Sequence, residues 1–471
     1  MEHADVRDNF IIFPNQLFKN TEILEKYKQV WIVEEPVFFT RRKFHKLVLA
    51  TLRASLKWYH DYLTCMNVNV QYIQYDMVNA FYSNLTSCTC YDPVDNYIRL
   101  KIKNIPQLYT LDTPYFISDI GTLHVWTQTA LTQMWDYGLF YKWQRKTLNV
   151  LMNGNEPMGG KYTYTWDGIF PDMPRKVSRH KNYRTEAIDY INANFANNYG
   201  YINLENFTCA ISWEEAQDEL NALLFPNTKK KRQRQSKQNL EALVVVYSAD
   251  KIINWINRGL LTPYFVMSCI EDYLISKPAD LPFVEFIIRE IIGKREFSRL
   301  VYEWKGEKLR GIKAGRLIPD NFFIPETKNE LIDIILNKVG ICTNADVKNI
   351  CLCLFTMCMI KPDDIYTWLA IMTGASDWLL VNEVWGPLNY NSFEIVESAI
   401  RKLKWPIPRE QIDKCADIWN ALYYNFIGEK RSMLRRQGNR GSRLVSQWTA
   451  LSAESKEAAS QVAGKFMNGN I

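Results

Sequence analysis

No stretch of this 471-residue chain strings together the ~18 apolar residues that a membrane-spanning helix needs. The opening MEHADVRDNF lacks the basic-then-apolar layout of a secretory leader. Histidine is scarce. The five are His3, His45, His60, His124 and His180, and none follows position 180, so no imidazole from the later part can act as acid or base. GxGxxG, P-loop, HExxH and GxSxG patterns are absent, which removes the ordinary dinucleotide site, the phosphate cradle, the zinc protease and the hydrolase nucleophile elbow. The ten cysteines follow no framework spacing: Cys88 and Cys90 are one residue apart, as are Cys351 and Cys353, while Cys351 and Cys358 share one helix face. That usage fits a reducing compartment and buried free thiols rather than a metal site. The expected location is intracellular, nuclear or cytoplasmic, with no membrane.

What the chain does have is apolar and aromatic bulk. Hydrophobic residues make up 47% and aromatics 14%, with 15 Trp and 26 Tyr, enough for a large core in two or three domains. The net charge is only +6, but it is uneven. Lys229, Lys230, Lys231, Arg232 and Arg234 form one basic block. Residues 430–443 form a second, with Arg435, Arg436, Arg440 and Arg443 among its bases. Such blocks are solvated loops, localisation signals or phosphate contacts.

Short β-prone runs at 10–13, 30–33 and 70–75, with a helical pattern from Arg42 to Leu63 between the last two, predict an α/β domain with a parallel sheet. Tyr91–Asp95 reads as a turn into another helix, and 112–116 as an extended segment. Residues 140–152 form an amphipathic helix, followed by the breaker cluster 153–164 with Gly159, Gly160 and Lys161. From Tyr183 onward the periodicity is helical, with NNYG (197–200) as a turn. The run Phe283–Trp304 carries apolar residues at helical spacing and charges at Arg289, Glu290, Lys294, Arg295, Glu296 and Arg299; it reads as two amphipathic helices meeting at Gly293.

FPNQLF (13–18), VEEPVFF (33–39), KFHKLVL (43–49) and RASLKWY (53–59), together with IIGKREF (291–297), resemble the cryptochrome/photolyase superfamily, in its deoxyribodipyrimidine photolyase-related branch. The resemblance runs in block order from about Phe13 to Ile427. It implies an N-terminal Rossmann-like domain (1–130), an interdomain linker with a GGK motif (131–185), a C-terminal all-α, photolyase-type FAD-domain-like part (186–430) and a basic tail (431–471). In that family the first domain can hold an antenna pigment. Glu34, Glu35 and His45 lie near its crevice and are read here as paired surface acids and a helix-start histidine.

The resemblance also shows where this chain departs. The residue after the bowl glycine is usually Trp and here is Lys294, followed by Arg295. The hydroxyl-bearing phosphate turn falls on Ala249, Asp250 and Ile253, which places a carboxylate where a diphosphate would lie. The family's two histidines fall on Thr343 and Asn344, and its asparagine on Cys353. The flavin loop appears as NEVWGPLNYNSF, with Asn389 among the changed positions. Only Cys415 lies near a place used by the branch with an iron–sulfur cluster. The expectation is a photolyase-related protein that has lost flavin and repair catalysis. It binds nucleic acid, or serves as a structural part of a larger assembly such as a virus particle, with no cofactor and no metal. The alternative is an active FAD-dependent, light-driven DNA photolyase.

Overall fold

The computed structural model describes residues 7–129, 137–164, 166, 179–205, 207–225 and 249–310, all of which belong to one compact unit. Its centre is a five-stranded parallel sheet: β1 (Arg7–Ile12), β2 (Tyr27–Val33), β3 (Val70–Ile73), β4 (Ser87–Tyr91) and β5 (Gln107–Leu111), in the order β3-β2-β1-β4-β5. Central β1 is covered on both faces, with Phe10, Ile11 and Ile12 all buried, as parallel strands under two helical layers require. The three strands read from hydrophobic runs are present. β4 and β5 were not read from the sequence, because SCTCY has no bulky apolar run; its core is Cys88, Thr89 and Cys90. Both thiols are free, and burial pushes Cys88 up to about 12 and Cys90 further, so they pack as small apolar groups.

The first long helix spans Lys46–Cys65, starting four residues later than the periodicity suggests. The cause is His45, whose Nδ1 accepts from the Leu47 amide at 3.1 Å and fixes the N-terminus there. Leu49, Leu52, Leu56, Tyr59 and Leu63 are buried at alternating spacings of three and four. Asn67, with φ of 58°, closes the C-terminus as Val68 N donates to Leu63 O. Against this helix packs a second, Lys181–Asn194. Asp95, in the turn read at 91–95, accepts from Tyr97 N and Ile98 N and caps the helix Asn96–Ile102.

The run 283–304 is not a pair of helices broken at a glycine. Helix Leu281–Ile288 continues through a π-helical segment, Arg289–Arg295, into helix Glu296–Arg310. Nor is the run amphipathic: Ile291, Ile292, Arg295, Glu296, Phe297, Ser298, Arg299 and Leu300 are all buried. Gly293 serves packing rather than chain reversal, since an added Cβ would lie 2.9 Å from both Tyr137 Oη and Tyr141 Cδ2 of the helix Tyr137–Leu148.

Candidate functional site

The carboxyl ends of β1 and β4 flank the point where strand order reverses, the usual ligand position in open α/β sheets. Here the chain fills that position itself. Gln16 Nε2 donates to Tyr91 O (3.1 Å) and Asp92 O (3.2 Å), bridging the two strand ends. Leu17 N donates to Arg258 O at 3.3 Å, and Trp213 Nε1 donates to Leu17 O at 2.7 Å. Later helical elements are thereby sewn directly onto the crevice.

Beside it, at the end of β2, lie Glu34 and Glu35. They are not surface acids, since both are 0% exposed. Glu34 Oε1 accepts from Arg53 Nη1 (2.8 Å) and Tyr72 Oη (2.8 Å), while Oε2 accepts from Tyr190 Oη (2.9 Å) and Tyr75 N (3.2 Å). Arg53 turns its other edge to Glu186, at 2.6 Å from Nη2, and lies against the ring of Tyr190. Glu35 accepts from Lys101 Nζ and Tyr82 Oη, each at 2.6 Å, and from Val37 N. Burial and the neighbouring carboxylates push the Tyr72 and Tyr82 phenols well above their ordinary range, so they act as fixed donors. Each carboxylate thus has its own cation and a full set of donors, the condition under which a buried charge is tolerated. His45 is buried, and desolvation lowers it to about 4, leaving a neutral ring whose Nδ1 is engaged in the helix cap.

A second polar cluster surrounds the π-helical segment. Glu285, fully buried, accepts from Tyr141 Oη (2.9 Å) and Tyr164 N (3.0 Å), with Arg289 Nε 3.6 Å away. This joins the GGK region to the helix. Arg295 Nε donates to Asn257 Oδ1 at 2.9 Å, Nη1 donates to Tyr115 O, and the guanidinium lies 4.1 Å from the rings of both Tyr115 and Phe116. Lys294 pairs with Glu290 at 3.2 Å, one turn back. Glu296 Oε1 accepts from Ile117 N at 2.8 Å, and Arg299 Nη1 donates to Ser118 O at 2.9 Å. Further along, Arg99 grips Asp92 and Glu303 together, and Tyr302 Oη accepts from Asn96 N. Arginines and acids of the long helix are spent on holding residues 92–118.

Of the positions singled out in the sequence, Lys294 and Arg295 fall in this second cluster. Asp250 lies in the helix Ala249–Asn257. Thr343, Asn344, Cys353 and Asn389 lie outside the described residues, as do the basic positions Lys229, Lys230, Lys231, Arg232, Arg234, Arg435, Arg436, Arg440 and Arg443. Sequence reading did not find Arg53, Tyr72, Tyr190, Lys101, Asn257 or Glu285. The available signal was Arg53, a charge set between core leucines, although its partner Glu186 is 133 residues away. Among the described residues, no group of three or more His, Cys, Asp and Glu side chains is placed to hold a metal. No helix among them is long and apolar enough to cross a membrane.

Several known proteins are similar to this chain. The family model for deoxyribodipyrimidine photo-lyase-related proteins matches residues 10–207. A (6-4) photolyase of Agrobacterium fabrum is 23% identical over 389 residues, covering 75% of this chain and 73% of that protein. An uncharacterised protein of Acanthamoeba polyphaga mimivirus is 33% identical over 179 residues, covering 33% of this chain and 89% of the viral one, and a second from the same virus is 27% identical over 118 residues. Among solved structures, an archaeal photolyase from Sulfolobus tokodaii, determined with two FAD molecules, aligns over 98% of this chain and 100% of its own at 12% identity and a TM-score of 0.45.

Proposed function

The chain belongs to the photolyase/cryptochrome-related superfamily, and on that premise we propose that it is a nucleic-acid-binding member that works without flavin-dependent repair. The observation that carries this reading is the use made of Lys294 and Arg295. At these bowl positions Lys294 is bridged to Glu290, and Arg295 is held by Asn257 and Tyr115 O between two aromatic rings. Both side chains are engaged within the fold, which supports a reading without flavin. Asp250, where the family has a hydroxyl, adds a charge of the same sign as a diphosphate. The absence of histidine after position 180 removes the family's proton donor for lesion repair.

The ligand follows from charge. Two basic blocks without base-reading motifs suit phosphate contacts that position rather than specify. A second reading, an FAD-dependent light-driven DNA lyase, is favoured by the extent of similarity to the (6-4) photolyase. A third, a component of a virus particle or related assembly, draws on the mimivirus relatives.

Binding to duplex and single strands should be sequence-tolerant and fall steeply with salt. Neutralising Lys229, Lys230, Lys231, Arg232 and Arg234 to Ala and Gln should flatten the log–log salt slope by about 0.9 for each duplex phosphate that the side chains no longer neutralise, with melting unchanged. A variant with the parent's affinity and slope would remove this block from the interface. Absence of binding by the parent would remove the nucleic-acid reading altogether.

A further inference from the structure

We propose that Glu296 is a proton-operated latch between the helix Glu296–Arg310 and the 115–118 segment that follows β5. The carboxyl is 1% exposed, and one of its oxygens, Oε1, holds the Ile117 amide at 2.8 Å. The other, Oε2, has no hydrogen-bond partner. An ionised carboxylate with a bare, buried oxygen is costly, whereas a neutral acid loses much less on burial.

The charges around it do not remove that cost. Arg295 and Arg299 face the same cluster from its own helix, but neither lies within ion-pair distance of Glu296. Their hydrogens go to Tyr115 O, Asn257 Oδ1 and Ser118 O. Arg299 is drawn also toward Asp92, 3.9 Å away at the end of β4, with Glu303 and Asp119 as its further acidic neighbours. The helices Ala249–Asn257 and Tyr137–Leu148 bring to the cluster the neutral side chains of Asn257 and Gln144. Burial therefore outweighs the Ile117 and Ser118 amides and the two arginines, and the carboxyl is pushed up to about 7.

The cluster is short of partners elsewhere too. Asn257 Nδ2, Arg295 Nη2, Arg299 Nε and Gln144 Oε1 are buried without hydrogen bonds, so the contact is under-satisfied and poised to open. A carboxyl with a raised folded-state value gives its full stabilisation below its unfolded value and loses it as pH rises through the folded one. The latch is thus firm at and below about pH 4.5 and loosens as pH rises from there to about 7. On opening, the 115–118 segment parts from the helix and water reaches the carboxylate.

The test is amide hydrogen exchange of the 112–120 region in the full-length protein, with Glu296→Gln as the permanently neutral comparison. Between about pH 5 and about pH 8, protection at Ile117 in the parent, corrected for intrinsic exchange, should fall roughly seventy-fold, the span set by values of 4.5 and about 7. The glutamine variant should hold its protection across the same range. Equal pH dependence in both proteins overturns the latch. If the variant does not fold, the parent decides alone: protection at Ile117 that stays constant or rises with pH contradicts the proposal.

Discussion

Replacing Arg53 with methionine should cost about 3–5 kcal/mol of unfolding free energy near neutral pH, a larger stability loss than any other single substitution considered. The side chain is 5% exposed and is the cation that faces Glu34, itself 0% exposed. Methionine keeps much of the aliphatic bulk and removes only the charge and its donors. Tyr72, Tyr190 and the Tyr75 amide would still solvate Glu34, but no cation would. Adding Glu34→Gln should recover part of the loss, since the buried charge goes with its partner. Urea unfolding of the parent, the two single variants and the double variant measures all of this. A loss below about 1 kcal/mol would mean that the pair behaves like an exposed ion pair.

Gly259→Ala should be the next most damaging, at about 2–4 kcal/mol, because two costs coincide there. The residue sits at φ of +73°, in the left-handed region, at the end of the helix Ala249–Asn257. A Cβ would also lie 2.6 Å from the backbone nitrogen of Leu17, which cannot move without breaking its bond to Arg258 O. Gly154 provides the control. Its φ is +60°, and an added Cβ meets nothing within 4 Å, so Gly154→Ala reports the backbone cost alone, about 1–2 kcal/mol. Calorimetric melting of both variants separates conformation from contact. Equal losses would show that the approach of the 258–260 turn to the β1 crevice adjusts freely.

How much of this was legible in the sequence depended on the range of the interactions. β1, β2 and β3 announced themselves as apolar runs, and Asp95 announced a helix start, because both signals are local. β4 hid because its core is built of Cys and Thr, residues of little bulk. The π-helical segment hid because Gly293 reads as a breaker by composition, whereas its actual constraint is the approach of Tyr137 and Tyr141 from a helix some 150 positions away. Glu34 and Glu35 were misread for the same reason. Adjacent acids look solvated until Arg53, Tyr190 and Lys101 are brought to them by the sheet and the helices packed on it. The resemblance of the 13–59 blocks to the photolyase-related branch held because those blocks form the crevice segment after β1, the end of β2 and much of the first long helix, the frame on which the rest is hung.

A photolyase-type scaffold that works without flavin should be purified without it. The direct measurement is the flavin absorbance released on denaturing the purified, full-length protein, expressed per chain. Far less than one flavin per chain is expected, even after growth with riboflavin and incubation with FAD. One FAD per chain, retained through purification, would contradict it and restore the light-driven DNA lyase.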